Sequence, residues 1–197
     1  MKRNKLLKLA IISSVIVILY MFFQWKIIDM ITEFLMLPVL LIVFGFFIFI
    51  TIRAIITLFK NKNWKPIVIQ GFTILLLIFI PFNQIILNLN FKWNKSEREQ
   101  VAKMVKNGEL KSNVSYNSSL IHLPKEYTHL SSGGGDIVVE KSGKNYNILF
   151  FTYRGILDNF SGFVYTANDQ KPSKKAFDGD FKEIEKMGKN WYFVGSY

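Results

Sequence analysis

Three long apolar stretches in the first half of this chain constrain its fold more than any other feature. The first, residues 6–25, contains a single charge at Lys8, and the second, residues 34–52, contains none. The third, residues 66–87, is also uncharged. A helix of about 20 residues crosses a hydrocarbon core of roughly 30 Å. The pattern therefore predicts three transmembrane helices.

Composition changes at the end of the third stretch. Residues 1–91 carry nine Lys or Arg and two acidic residues, whereas residues 92–197 carry sixteen and twelve. The second part is long enough to bury a core of its own. We therefore expect a helical membrane domain, 1–91, followed by a separate domain, 92–197. A single soluble domain does not fit this distribution, nor does disorder; the absence of cysteine excludes a disulfide framework.

The basic residues of the short loops predict the orientation in the membrane. The N-terminus and the loop between the second and third stretches carry eight basic residues, while the other loop carries only Lys26, beside Asp29 and Glu33. The basic segments are expected in the cytoplasm, so three spans leave residues 92–197 outside the plasma membrane. Tryptophans mark three predicted boundaries: Trp25, Trp64 and Trp93.

The first stretch predicts a signal-anchor rather than a cleaved signal peptide. Its end, residues 20–25, is aromatic and bulky and lacks the small residues of a cleavage site. The composition, rich in Ile, Lys and Asn and poor in Ala, is typical of an AT-rich genome and suggests a bacterial source.

Small polar residues interrupt the apolar stretches, and two roles are open to them. They are Ser13, Ser14, Thr51, Gln70, Gly71 and Thr73. Such residues either hydrogen-bond between packed helices or line a polar path. No Asp, Glu or His lies in the three stretches, which gives ion-coupled transport little support. Packing is the preferred interpretation.

Residues 92–197 predict a small α+β domain with an antiparallel sheet. Ser96 as an N-cap and Gly108 as a terminator predict a helix between them, joined to the membrane by a short connection at 94–95. A capping pattern at 180–183 predicts a second, short helix ending at Gly188. Apolar runs predict strands over 120–123, 136–140, 146–153, 160–166 and 191–194, with a hairpin loop at 141–145.

Few residues of this domain suggest chemistry. The two histidines, His122 and His129, could form a weak polar cluster with Asp136, but their spacing matches no zinc motif. The run 131–136, which includes the three glycines Gly133–Gly135, could present backbone N–H groups to an anion. A strand pattern follows it where a phosphate loop needs a helix, so an ordinary loop is expected.

Two surfaces are candidates for binding. The first is aromatic and the second basic: Phe160, Phe163 and Tyr165, and Lys171, Lys174 and Lys175. The aromatic side chains fit a buried core better than a surface, because aromatic strands usually pack inward. The lysines suit anionic lipid headgroups or wall polymers, or equally a solvated loop.

The leading hypothesis is a non-enzymatic multi-pass membrane protein whose outer domain binds a protein, peptide or cell-envelope partner, in an accessory, sensory or immunity-type role. One alternative is a cell-envelope hydrolase with His122, His129 and Asp136 in one cleft. Another is a subunit of an oligomeric channel or transporter. The bilayer itself is an expected partner and a homo-oligomer stays open. Nucleic acid is not expected, since membrane topology explains the basic excess, and no motif predicts a cofactor or a metal.

Overall fold

The computed structural model describes residues 3–31, 33–115, 117–142, 145–155 and 159–196. The chain forms two compact units, Met1–Leu89 and Asn90–Tyr197. Helices make up the first unit. A six-stranded antiparallel sheet and the second part of a long helix make up the other.

Four α-helices lie in the described part of the first hundred or so residues. They are α1 (Arg3–Ile31), α2 (Met36–Asn61), α3 (Lys65–Phe79) and α4 (Phe82–Asn107). Helices α1 and α2 are each long and apolar enough to cross a bilayer, and α3 with α4 adds a third crossing if this bent pair is one broken span. These helices indicate membrane association.

The third predicted stretch, 66–87, is not one helix as the sequence suggested. Ile80 has an extended backbone, with φ −88° and ψ 120°, and ends α3 just before Pro81. A proline pushes the preceding residue out of the α region and offers no N–H to continue the helix. The two parts meet there at a bend of 60°.

The predicted helix start at Ser96 and the connection at 94–95 are wrong. Helix α4 begins at Phe82 and runs without interruption to Asn107. Ser96 lies inside it because the residues before it are already helical, so no new helix has to be started there. The predicted end is confirmed: Gly108 follows the helix with φ +76°, a conformation that glycine adopts without strain.

Gln70 on α3 joins this helix to α1 and α2 in the first unit. Its buried Nε2 donates to the carbonyl oxygen of Ala10 and to Oγ of Ser13 on α1, each at 3.0 Å. Its Oε1 accepts a hydrogen bond from Oγ1 of Thr51 on α2 at 2.8 Å. One amide thus satisfies its donors and acceptor on two neighbouring helices.

A second contact lies one turn further along α3. Thr73 Oγ1 donates to Ser14 Oγ at 2.8 Å, and both side chains are buried. A Cβ added at Gly71 would meet open space, so this glycine is not a point of close helix contact. The hydroxyl and amide groups have the interhelical packing role that the sequence favoured.

The sheet contains six strands in the described residues, in the order β1-β2-β3-β4-β6-β5, and each neighbouring pair is antiparallel. The strands are β1 (Leu120–His122), β2 (Asp136–Ser142), β3 (Asn145–Arg154), β4 (Phe160–Thr166), β5 (Glu183–Gly188) and β6 (Trp191–Ser196). The five predicted strands are confirmed. The predicted hairpin joins β2 to β3, with Gly143 and Lys144 of its loop outside the described residues.

The short helix predicted to end at Gly188 is wrong, because those residues form the edge strand β5. A tight turn brings β5 back along β6, with Asn190 at φ 65°. Pairing with a buried strand stabilises this segment as a strand, and the local capping pattern does not outweigh it.

Both faces of the sheet are covered. On one face Phe91 of α4 packs on Phe163 and Trp191, with ring centroids 5.2 and 5.6 Å apart. The other face carries a separate buried cluster: Leu149, Phe151, Val164, Ala176, Phe177, Phe181 and Val194. Strand β3 is buried on both sides, as its continuous apolar run predicts for a central strand.

We expect Gln70→Leu to destabilise the helical unit by about 1–3 kcal/mol, because several interhelical hydrogen bonds are lost together. Thermal unfolding of the full chain in detergent, followed by circular dichroism, measures this. Thr57→Val is the matched control, since among the described residues Thr57 bonds to the carbonyl of Arg53 on its own helix. Equal stability of Gln70→Leu and the wild type would contradict the role of Gln70.

Candidate functional site

A polar cluster lies where β1 meets β2. The register of the two strands places His122 directly opposite Asp136. His122 Nδ1 lies 2.8 Å from Asp136 Oδ1, and Arg154 Nη1 on β3 donates to Asp136 Oδ2 at 3.3 Å. The side chain of Asp136 is 18% exposed and that of His122 56%. The carboxylate therefore holds one histidine and one arginine at the surface.

The contact with Asp136 orients the imidazole. A carboxylate accepts from Nδ1–H, so neutral His122 keeps its proton on Nδ1 and presents Nε2 as an acceptor. His122 also lines an open groove of about 390 Å³. The other residues of this β1 groove are Leu110, Asn113, Leu123, Pro124, Lys125 and Thr128. It combines apolar side chains with a few hydrogen-bonding groups.

Asn113 fixes the chain beside this groove. Its Nδ2 donates to the carbonyl of His122 and its Oδ1 accepts from the His122 N–H, each at 2.8 Å. The side-chain amide thus occupies the place that a neighbouring strand would take on the outer edge of β1. As a result the groove has a defined wall.

The glycine-containing run is a fixed loop. Ser131 Oγ donates to the carbonyl of Asp136 at 2.5 Å and accepts from the N–H of Phe151 at 2.9 Å. Gly135 has φ +82°, and a Cβ there would lie 2.7 Å from the Cα of Thr128. The hydroxyl of Ser131 is buried and already bonded, so this side chain holds Asp136 in place.

The second histidine lies apart from this cluster. His129 Nε2 is 2.9 Å from Glu97 Oε2 on α4, and both side chains are about half exposed. Of the predicted polar cluster, the structure brings His122 and Asp136 into contact, whereas His129 pairs with Glu97. Over the described ranges, no group of three or more His, Cys, Asp or Glu is placed to hold a metal ion.

The aromatic and basic candidates occupy different environments. Phe163 is fully buried, while Phe160 and Tyr165 are half-buried. Phe160 packs on Phe151 and Phe181, and Tyr165 packs on Trp191, so these rings belong largely to the interior. The lysines stay at the surface: Lys171, Lys174 and Lys175 are all exposed.

Arg98 is a buried cation that sequence reasoning did not single out. Its side chain lies on α4 at 1% exposure. The guanidinium donates from Nε and Nη2 to the carbonyl of Leu130 at 3.3 and 3.2 Å, and from Nη2 to Asn90 Oδ1 at 2.6 Å. Its Cζ lies 4.6 Å from the centroid of the Phe163 ring.

These partners of Arg98 are neutral, so its charge is held by carbonyl dipoles and aromatic faces. Burial lowers the pKa of Arg98 to about 9, an effect that the nearby Glu97 partly opposes. The group therefore remains a cation at neutral pH and bears the cost of desolvation. Its hydrogen bonds fix α4 to Leu130, which lies in the connection between β1 and β2, the strands that carry His122 and Asp136.

Comparison of the chain with protein-family models, with curated proteins and with solved structures gave no match.

We expect Arg98→Lys to destabilise the sheet unit by about 2–4 kcal/mol, because one ammonium cannot serve both acceptors and cover the ring. Hydrogen exchange of the β3 and β4 amides in the full chain measures this. Lys103→Met, which removes an exposed cation from the same helix, is the control. Unchanged protection in Arg98→Lys would show that the buried contacts do not stabilise the unit.

Proposed function

We propose that this chain is a multi-pass membrane protein of the plasma membrane whose outer domain binds a protein, peptide or cell-envelope partner without catalysing a reaction. Three crossings, by α1, α2 and the α3–α4 pair, anchor it. The N-terminus lies in the cytoplasm and residues 92–197 lie outside. The partner interaction serves an accessory, sensory or immunity-type role.

The β1 groove carries the proposal. Three of its residues, Leu110, Leu123 and Pro124, are apolar, and His122 and Lys125 supply hydrogen-bonding groups beside them. A concave surface of this mixed character suits an apolar side chain flanked by polar groups of a partner. Its wall is held in place by Asn113 and its polar end by Asp136, so little ordering is required when a partner binds.

The hydrogen-bonding pattern favours binding over catalysis. In its neutral form His122 accepts at Nε2 from an N–H or O–H of a partner, and Lys125 donates to a carbonyl or carboxylate. The nearby hydroxyl of Thr128 donates to the carbonyl of Lys125 at 3.1 Å. Its proton is therefore bonded to the backbone and not to the imidazole of His122. The geometry therefore supports recognition of a polar segment.

Loop charge supports the proposed orientation. The last turn of α2, the first turn of α3 and the loop between them carry Lys60, Lys62 and Lys65 and no acidic residue. Basic loops are retained in the cytoplasm. An odd number of crossings then places the sheet on the opposite side from the N-terminus.

The orientation is tested by cysteine labelling, because the natural chain contains no cysteine. In intact cells we expect an impermeant maleimide to label Lys171→Cys, and to label Lys60→Cys only after the membrane is permeabilised. The two variants control for each other's expression and reactivity. Labelling of Lys60→Cys in intact cells with protection of Lys171→Cys would overturn the orientation.

The binding proposal is tested with a photoreactive residue at position 125, in the groove, and at position 103, on an exposed face of α4. We expect one discrete adduct from position 125 in native membranes and none of that mass from position 103. Leu110→Lys, which puts a charge in the groove, should reduce the adduct several-fold. An adduct that is equal at both positions or insensitive to Leu110→Lys would contradict the proposal.

A further inference from the structure

A second groove lies in the helical unit, between α1 and α3. Its volume is about 350 Å³. Its walls include Ile11, Val15 and Ile18 of α1 and Val68, Phe72 and Leu76 of α3. Several of these side chains are exposed although they are strongly apolar, with Phe72 at 62% and Val68 at 53%. Such a surface needs an apolar occupant.

The polar side chains in the wall of this α1–α3 groove form hydrogen bonds within the protein. The hydroxyls of Ser14 and Thr73, which also line it, donate and accept between themselves at 2.8 Å. Both side chains are buried, and the Thr73 hydroxyl also lies 2.9 Å from the carbonyl oxygen of Ile69, so they offer almost no polar surface to the groove. Hydrocarbon fits the space between them and the apolar walls.

Both helices begin at the same end of the groove. The bonds from Gln70 to Ala10 and from Thr73 to Ser14 fix α1 and α3 side by side and parallel. One turn before Ile11 stands Lys8, and three residues before Val68 stands Lys65, both exposed. Helical periodicity places each lysine on or beside the face that lines the groove.

This end of the groove is strongly basic. The adjoining loop 62–64 carries Lys62 and no acidic residue, and the first turns of α1 and α3 carry no acidic residue. The N-cap of α3, Trp64, makes no side-chain hydrogen bond to the first turn. The N-terminal N–H groups of a helix favour an anion, so they strengthen the attraction that the lysines exert on an anion.

We propose that the α1–α3 groove binds one anionic phospholipid, with an acyl chain along Ile11–Ile18 and Val68–Leu76 and its phosphate held between Lys8 and Lys65. The lined segment extends over about 10 Å of helix, which suits the upper part of an acyl chain. The proposal rests on the proposed membrane placement, in which these lysines face the cytoplasmic leaflet and its anionic lipids.

Charge decides between a lipid and a second copy of the chain. Copies in one membrane share an orientation, so pairing through this groove would bring two basic ends together at the same depth. Like charges repel there, whereas an anionic headgroup neutralises them. The apolar groove and the basic end are thus complementary to the two parts of a single lipid.

The test is native mass spectrometry of the full-length protein in detergent with phosphatidylglycerol or phosphatidylcholine of identical acyl chains. We expect one retained phosphatidylglycerol on the wild type. The double variant Lys8→Gln/Lys65→Gln should retain it about 10- to 30-fold more weakly. The matched control, Lys26→Gln/Lys103→Gln, removes two exposed lysines away from this basic end, one on α1 beyond the groove lining and one on α4, and should bind like the wild type.

A second pair of variants tests the acyl-chain part. Val68→Trp fills the groove and should abolish retention of the lipid, whereas Ile78→Trp, at an exposed position of α3 outside the lining, should not. Equal retention of the two lipids, equal losses in both lysine pairs, or retention by Val68→Trp would overturn the proposal. Labelling of Lys60→Cys from outside intact cells would instead overturn the proposed orientation, on which the count of bound lipid in detergent does not depend.

Discussion

A buried amide in an apolar bundle is the constraint on which the first unit depends. In an apolar environment no water is available as a hydrogen-bond partner, so each donor and acceptor must be paired within the protein. Gln70 meets this requirement only if α1 brings Ala10 and Ser13, and α2 brings Thr51, to defined positions. Apolar side chains alone would allow the helices to slide or rotate. The amide specifies one register, and the groove between α1 and α3 follows from it.

A comparable role falls to Arg98 in the second unit, in a different form. The guanidinium bridges the carbonyl of Leu130 and the side chain of Asn90 while lying over the ring of Phe163. A buried charge held by neutral groups is costly, and an apolar residue could cover the ring at lower cost. The arginine contributes directional hydrogen bonds, because the donors of its planar guanidinium reach acceptors only at defined positions. Residues 131–135, which lead into β2 at Asp136, directly follow Leu130, the acceptor of two of those bonds.

Local patterns predicted most of this architecture, and the two wrong capping predictions have one physical origin. The apolar runs of the helices and of strands such as β3 are visible in the sequence because burial on one or both faces leaves a periodic record. The capping signals at Ser96 and at 180–183 are local too, but the structure there is decided elsewhere. The residues before Ser96 are already helical, so α4 continues through it, and β5 is stabilised by pairing with β6.

The same limit applies to the candidate site. Strand register brings His122 and Asp136 together, and a sequence cannot supply a register before the strands are paired. Arg98 reads as one more charge on an amphipathic helix; its burial depends on Leu130 and Phe163, which are distant in sequence. The role of the polar residues in the apolar helices was easier to predict, because any hydrogen-bonding group in an apolar environment needs a partner.

The amide of Asn113 has a consequence for how anything can approach the β1 groove. An incoming strand would find both backbone groups of His122 already bonded and would have to break two hydrogen bonds to form two. Main-chain addition at this residue therefore brings no net gain, and pairing of two such sheets edge to edge is discouraged. Any selectivity of the proposed binding at this groove therefore has to come from contacts with side chains, not from the addition of a strand.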